Sequence, residues 1–419
     1  MSKILVRIET SEMKKALDVC GSVIQSKNAL PILGDIVLRY QKERGLFQML
    51  ASNSEQFICL DCTKTVGDGE GCEPWLLMIE QDRKEPFTDV AIPHAALREA
   101  IATLPTMPVT ATIDTEKQLI TVQYGKGQFS MPVGQAAEFP VMPAVVKKGE
   151  QTGEGGASPV VRLTMEGDAL VQQILRANVC AASDELRPQM GCVCLDIRQD
   201  RMVYVSSDGH SLYKQTDDKG LGYLEYGEFP ADGSAVVLIV PQMFRAMKQA
   251  FAGAKAVTLT ADSQRVELST DGLQLVSRTL DQRYPNYESV IPKQNPHTLQ
   301  LDRMELVAAL RRVQVFANDA SNMVVLARDG ESLVLSAEDY DFSRSADERI
   351  TIVNGQETSL PDGFKIGCKI STMLSLLQVI VTDTVLIDLA DTSHAFLLRP
   401  DDPNAGLTLL QMPMVVNNA

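Results

Sequence analysis

The stretch DRMELVAALRRVQVF (302–316), followed by MVVLAR (323–328), decides the fold. Leu306, Ala309, Leu310 and Val313 fall at i, i+3, i+4 and i+7, which places one apolar stripe along a short amphipathic helix. MVVLAR is β-branched and reads as a half-buried antiparallel strand. The same pairing of helix and strands recurs along the chain. Ile370, Met373, Leu374 and Leu377 repeat the helical spacing, as do Met13, Ala16, Leu17 and Cys20. Fainter versions stand at Leu97, Ile101 and Leu104, at Val171, Ile174 and Leu175, and at Phe244, Met247 and Phe251. After the first, third and fifth helices come DIVLRY (35–40), CVCLDI (192–197) and MVVLAR, each leading to a strand that ends in a polar turn: LASNSEQ, VSSDGHS and LSAEDYD. After the second, fourth and sixth come VTATID (109–114), VTLTAD (257–262) and VLIDLA (385–390).

Six helix-plus-strand units grouped in pairs predict an α+β protein of three repeated domains, each with two helices packed on antiparallel sheets. The joints agree. KKGEQTGEGGASP, from Lys147, is Gly-rich and polar, and IPKQNPHT, from Ile291, carries two prolines. The expected domains are 1–146, 159–293 and 294–419, with a linker at 147–158. A chain of 419 residues has room for them, and its 45% hydrophobic and 22% charged residues suit several buried cores.

The net charge of −15 excludes a protein that coats itself onto nucleic acid by overall attraction. It leaves room for one held on DNA by topology through a single positive surface. No run approaches the roughly 20 apolar residues of a membrane span, and MSKILVRIET reads as a first strand, not as a secretory leader. A cytoplasmic protein without membrane contact is expected. The eight cysteines form no framework. Cys59 and Cys62 have zinc-ligand spacing with Cys72 near, but no second such pair and no close histidine accompany them, so they read as reduced core residues.

Four separated landmarks then carry a resemblance: ALPILGDIVL (29–38), SSDGHSLYKQ (206–215), DQRYPNYESVIPK (281–293) and LLQMPM (409–414). In this order, at these places in a threefold repeat, they resemble the β sliding clamp of bacterial DNA polymerase III over the whole chain. The resemblance implies a ring-shaped homodimer of two three-domain crescents, sheets outside and helices lining the hole. Domain 1 of each subunit would meet domain 3 of the other. It implies a non-catalytic processivity factor without cofactor or metal that encircles double-stranded DNA. An ATP-dependent clamp loader would place it, and the replicative polymerase, other polymerases and repair proteins would dock by short apolar peptides.

Carried over by motif, the partner-peptide pocket takes Ser207, Gly209, His210 and Leu212 from the second landmark and Pro285 and Val290 from the third. The fourth supplies Leu410, Met412, Pro413 and Met414, and Met190 stands where the family has another apolar wall residue. Methionine is flexible and polarisable, which suits a pocket that admits several peptides. Thr372 replaces the family's aromatic gate residue, with Ser393 and Ala395 at neighbouring positions, so the peptide preference does not carry over.

For DNA the resemblance implies loose contacts to phosphates, which carry no sequence information. Candidates on helices are Lys14, Lys15, Arg98, Arg176, Arg245, Lys248, Arg311 and Arg312. Lys27 and Arg187 sit in two loops that contact DNA in the family. Any one of these alone also reads as a solvated helix face. Val315 and Phe316 match apolar subunit-interface positions, although a phenylalanine at a helix end is commonly core.

Asp208, His210 and Ser211 invite a hydrolase reading, but triad members come from separate parts of a fold, and no GxSxG elbow is present. Neither a phosphate loop nor a dinucleotide-binding glycine pattern occurs. A repeat-built peptide-binding scaffold that never encloses DNA is the runner-up.

Overall fold

A computed structural model of the chain describes residues 2–28, 30–41, 46–62, 76–81, 89–143, 159–184, 186–198, 200–218, 224–227 and 234–416. The linker at 147–158 and Cys72 lie outside them. The chain divides into two compact units: Met1–Gln172 with Gly222–Pro230 and Val240–Asp281, and Gln173–Leu221 with Ala231–Ile239 and Gln282–Ala419.

Six helices are present among the described residues: α1 (Thr10–Gly21), α2 (His94–Ala102), α3 (Ala169–Ala177), α4 (Gln242–Ala250), α5 (Arg303–Gln314) and α6 (Ile370–Val379). In α1 and α5 the whole predicted stripe is buried: Met13, Ala16, Leu17 and Cys20, and Leu306, Ala309, Leu310 and Val313. Asp302 caps α5 by accepting from the Glu305 N–H at 2.7 Å, a contact that stabilises a helix by about 1 kcal/mol. In α4 the buried face is Met243, Ala246 and Met247, so Met243 takes the place expected for Phe244, which is only half-buried. In α6 Leu376 is buried where Leu374 is half-buried.

All the strand ladders described are antiparallel, and the sheets repeat one plan. In the first unit, a five-stranded sheet runs Leu76–Gln81, Ser2–Glu9, Pro108–Asp114, Leu119–Tyr124, Gly127–Pro132. The ten-stranded sheet of the same unit joins Val90–Pro93, Asp35–Gln41, Leu46–Ser52 and Gln56–Asp61 to Leu273–Arg278, Arg265–Thr270, Ala256–Asp262 and Pro159–Glu166. Gly134–Gln135 and Leu224–Gly227 lie at its two ends. The joining ladder pairs Leu273 with Leu60 and Leu275 with Ile58.

In the second unit, Ser234–Ile239, Val193–Arg198, Met202–Ser207 and Ser211–Asp217 continue into Leu407–Gln411, Phe396–Pro400, Thr384–Leu389 and His297–Asp302. A four-stranded sheet, Arg344–Thr351, Ser332–Asp339, Met323–Asp329 and Lys365–Lys369, completes it. Each odd-numbered helix thus precedes a three-strand meander whose fourth strand leads into the even-numbered helix. Each even-numbered helix precedes a second meander that pairs back on the strand before the odd one. The periodicity behind the sequence reading is this alternation.

The loop at 353–363 also finds its place in the repeat. Leu76–Gln81 lies beside Ser2–Glu9, and Leu224–Gly227 beside Pro159–Glu166. In the third copy only a bridge between Leu301 and Ile352 and the bond from Val353 N–H to the Gln300 carbonyl remain of that strand. Side chains take over: Asn354 accepts from Gln300 N–H at 2.8 Å and donates to the Thr298 carbonyl at 3.0 Å, while the Arg328 guanidinium donates to the carbonyls of Gly355, Thr358 and Leu360.

Candidate functional site

The site forms where the second and fourth landmarks become neighbouring strands of the second unit. Met202–Ser207 ends at a tight turn, in which Asp208 Oδ1 accepts from the N–H groups of His210 at 2.8 Å and Ser211 at 2.6 Å, and from the Ser211 hydroxyl at 3.0 Å. This is the side-chain turn that aspartate forms readily. Gly209 has φ +88°, a conformation that a residue with a Cβ reaches only under strain. The next strand pairs Leu212 with Leu410 and Ser211 with Gln411, and Met412 N–H donates to the His210 carbonyl at 2.7 Å. His210 itself is exposed and Asp208 is occupied by the turn, so the adjacent Asp, His and Ser serve a turn and not a charge relay.

Met190 approaches from the preceding 3-10 turn. A Cβ on Gly209 would lie 4.0 Å from Met190 Cε and 3.5 Å from an Arg187 guanidinium nitrogen. Arg187, expected on a DNA-facing loop, therefore stands at the rim of this turn, paired with Asp184 at 3.2 Å. The Leu186 N–H and Arg187 hold the Asp184 carboxyl below its ordinary pKa. Leu212 and Leu410 are buried, Met412 is exposed, and Pro413 and Met414 are half-buried.

The third landmark is fastened through Tyr287 and Glu288. Tyr287 Oη donates to Asp196 Oδ2 at 2.5 Å, Arg198 donates to the same oxygen at 2.7 Å, and Lys214 pairs with Glu288 at 2.7 Å. Burial and the Asp196 carboxylate push the Tyr287 phenol well above its usual range. This fastening leaves Pro285 and Val290 exposed.

A cleft of about 140 Å³ opens beside the turn, lined by Val179, Asp208, Ser211, Ser371, Thr372, Ser375 and Leu376. Thr372 is the one residue of the sequence-derived set that lines it. Ser371 and Ser375 are four apart on α6, a spacing legible in the sequence, but only the fold brings Val179 and Asp208 across from them. Ser393 is turned elsewhere, its hydroxyl and N–H both bonded to Asp391 at 2.8 Å, and Ala395 is buried, its carbonyl accepting from Asn295. Asp391 also accepts from His394, and these bonds hold its carboxyl far below the carboxylate range.

Six of the ten cations proposed for DNA are engaged within the chain. Lys14 donates to the Leu104 carbonyl at 2.8 Å, and Arg245 to that of Gly21 at 3.3 Å. Lys15 pairs with Glu12 at 2.8 Å, Arg98 with Asp18 at 2.5 Å, Arg187 with Asp184, and Arg312 with Glu348. Lys27, Arg176, Lys248 and Arg311 are exposed. Val315 is 71% and Phe316 40% exposed, so neither is ordinary core. The seven described cysteines, Cys59 and Cys62 among them, are buried and free. Burial pushes the Cys59 thiol up to about 11 and that of Cys180 up to about 12. No cluster of His, Cys, Asp or Glu among the described residues is arranged to hold a metal, and no helix among them is long and apolar enough to cross a membrane.

This repeat of meanders and paired helices is the fold of the DNA sliding clamps. The solved DNA polymerase sliding clamp of Pseudomonas aeruginosa is similar at TM-score 0.78 and 19% identity, covering 99% of this chain and 100% of that one. The DNA polymerase III β subunit of Thermotoga maritima is similar at TM-score 0.78 and 18% identity, with the same coverage. Residues 4–143 match the N-terminal domain of the DNA polymerase III β subunit, and residues 288–415 match its C-terminal domain. The β sliding clamp of Caulobacter vibrioides is 23% identical over 420 residues, 98% of this chain and 99% of its own length. The chain belongs to the β-subunit family of DNA polymerase III, the bacterial sliding clamps, and is a non-catalytic processivity factor, not an enzyme.

Proposed function

We propose that two copies of the chain close head to tail around duplex DNA as a ring of six domains, three per copy with the boundaries read from the sequence. One observation carries this reading. Among the described residues, Gly127–Pro132 and Arg344–Thr351 each end a sheet without a partner strand. In repeat register they correspond to Leu273–Arg278 and Leu407–Gln411 on one side, and to Gln56–Asp61 and Ser211–Asp217 on the other. Those strands do pair, with each other, inside the chain. A free edge of each kind on every copy is what a closed dimer consumes, and sheet edges left open invite pairing. Val315 and Phe316, with the exposed Tyr340 and Phe342 beside the Arg344–Thr351 edge, supply the apolar contact.

The ring holds DNA by enclosure, with Lys27, Arg176, Lys248 and Arg311 as the cations most available to phosphates. An ATP-dependent loader opens it in the cytoplasm. The replicative polymerase, other polymerases and repair proteins dock through apolar peptides on Met190, Gly209, Leu212, Val290, Leu410 and Met412. Light scattering should give twice the 45.8 kDa of one chain, and Phe316→Asp with Phe342→Asp should give the monomer. Loaded protein should stay on nicked circular DNA and run off when that DNA is linearised. Equal retention on both forms would rule out enclosure.

A further inference from the structure

We infer that the cleft beside Thr372 takes a basic side chain, lysine or arginine, of a client peptide whose apolar residues seat against Leu212 and Met412. This rests on the client-peptide reading above and adds to it the chemistry of one position. The cleft is rich in acceptors. Asp208 Oδ1 already receives three hydrogen bonds, whereas Oδ2 receives none from the described residues. The Ser211 hydroxyl spends its proton on Asp208, and the Ser375 hydroxyl spends its own on the Ser371 carbonyl at 2.9 Å. Both oxygens then offer only lone pairs. Donor-only groups, ammonium and guanidinium, suit such a lining, while a carboxylate is repelled and an apolar group leaves acceptors dry.

The remaining walls agree with a long basic side chain. Val179 and Leu376 supply apolar surface for its methylene stem. Among the described residues no cation lines the cleft. Arg187 stands above Gly209 but is neutralised by Asp184, and Lys369 lies one residue before α6. The α6 N-terminus, which would oppose a cation, is covered: Asn322 accepts from Ile370 N–H through its carbonyl at 2.8 Å and from Ser371 N–H through its side chain at 2.9 Å. An aromatic residue at 372 would fill this space, and threonine leaves it open.

The test uses full-length protein and fluorescein-labelled peptides with a common Leu-Phe anchor. Each position before the anchor carries in turn Lys, Arg, Gln, norleucine or Glu. At one position Lys or Arg should bind about tenfold tighter than norleucine, the size of a hydrogen bond to a charged group. Glu should bind more weakly than norleucine there, and the preference should shrink with added salt. In Asp208→Asn, and independently in Thr372→Tyr, the Lys-to-norleucine ratio should fall to about one. Equal binding of Lys and norleucine at every position, with the anchor still bound, would overturn the inference alone. Absence of binding by every peptide would overturn it together with the client-peptide reading.

Discussion

Arg312 on α5 lies fork to fork on Glu348 of the neighbouring strand, Nε to Oε1 at 2.7 Å and the second nitrogen to Oε2 at 3.0 Å. Arg98 and Asp18 make a single-bonded pair between α2 and α1, Nε to Oδ1 at 2.5 Å. Two of the cations proposed to meet phosphates are thus already held by carboxylates. In the proposed ring a phosphate would have to displace the carboxylate or share its arginine, so a loose grip on DNA is expected.

Glu348→Gln and Asp18→Asn should therefore tighten DNA binding. Each freed arginine that reaches a phosphate adds about 0.9 to the slope of log K against log salt. Fluorescence titration of a short duplex over a range of salt concentrations checks this. A slope unchanged in both variants would place these arginines away from DNA.

The ion pairs mark the limit of what the sequence holds. The stripes of α1 and α5 were legible because four apolar residues repeat the helical period. The strands were legible to within a residue because alternation sets their faces. The α4 stripe was displaced because Met243, Phe244 and Met247 are all apolar, and only packing selects among them. The ladders joining Gln56–Asp61 to Leu273–Arg278 and Ser211–Asp217 to Leu407–Gln411 link segments some 200 residues apart. Periodicity says nothing of such pairings, so the division into two units could not be foreseen. The family landmarks supplied candidate pocket residues, of which Thr372 lines the cleft, but not the engagement of six cations or the acceptor-rich lining. Those depend on where side chains distant in sequence point.

Tyr287→Phe should destabilise the second unit by about 1–3 kcal/mol. The substitution removes the 2.5 Å donor to Asp196, a buried carboxylate whose Oδ1 has no protein partner. Urea unfolding measures the loss. The variant should also weaken peptide binding, because Tyr287 fastens the segment that presents Pro285 and Val290. Wild-type stability would show that Arg198 alone satisfies Asp196.

His94 should make the first unit acid-sensitive. Its Nε2–H donates to the Leu17 carbonyl at 2.8 Å, and burial lowers the ring's pKa below its ordinary 6.5. The unfolded chain then binds the proton more readily than the folded one. This stability is fully present above the unfolded value and is lost as pH falls through it toward the folded value. Thermal melts between about pH 5.5 and 7.5 should show a falling midpoint on acidification, flattened in His94→Gln. Gly21→Ala should lower the midpoint at every pH, since its Cβ would sit 2.5 Å from the His94 ring.

Gly367→Ala should weaken client-peptide binding from a distance. Met414 N–H donates to the Gly367 carbonyl at 2.8 Å, tying the C-terminal tail to the edge of the four-stranded sheet. A Cβ on Gly367 would meet the Met414 carbonyl oxygen at 2.8 Å, Val416 Cγ2 at 3.0 Å and Met323 Sδ at 3.2 Å. The thioether can swing aside, but the backbone carbonyl cannot, so the tail must move as a piece and carry Met412 and Pro413 with it. The ladder from Ser211 to Gln411 lies upstream of the displacement and should hold, which should leave the sheet and the proposed dimer intact. Affinity for an anchor peptide should drop about three- to tenfold, a misplacement cost of roughly 1 kcal/mol. Adding Met323→Ala should not restore it, because the obstructing atom is backbone. Full affinity in Gly367→Ala, with the light-scattering mass unchanged, would mean that the tail's seat on this strand does not set the geometry of the pocket.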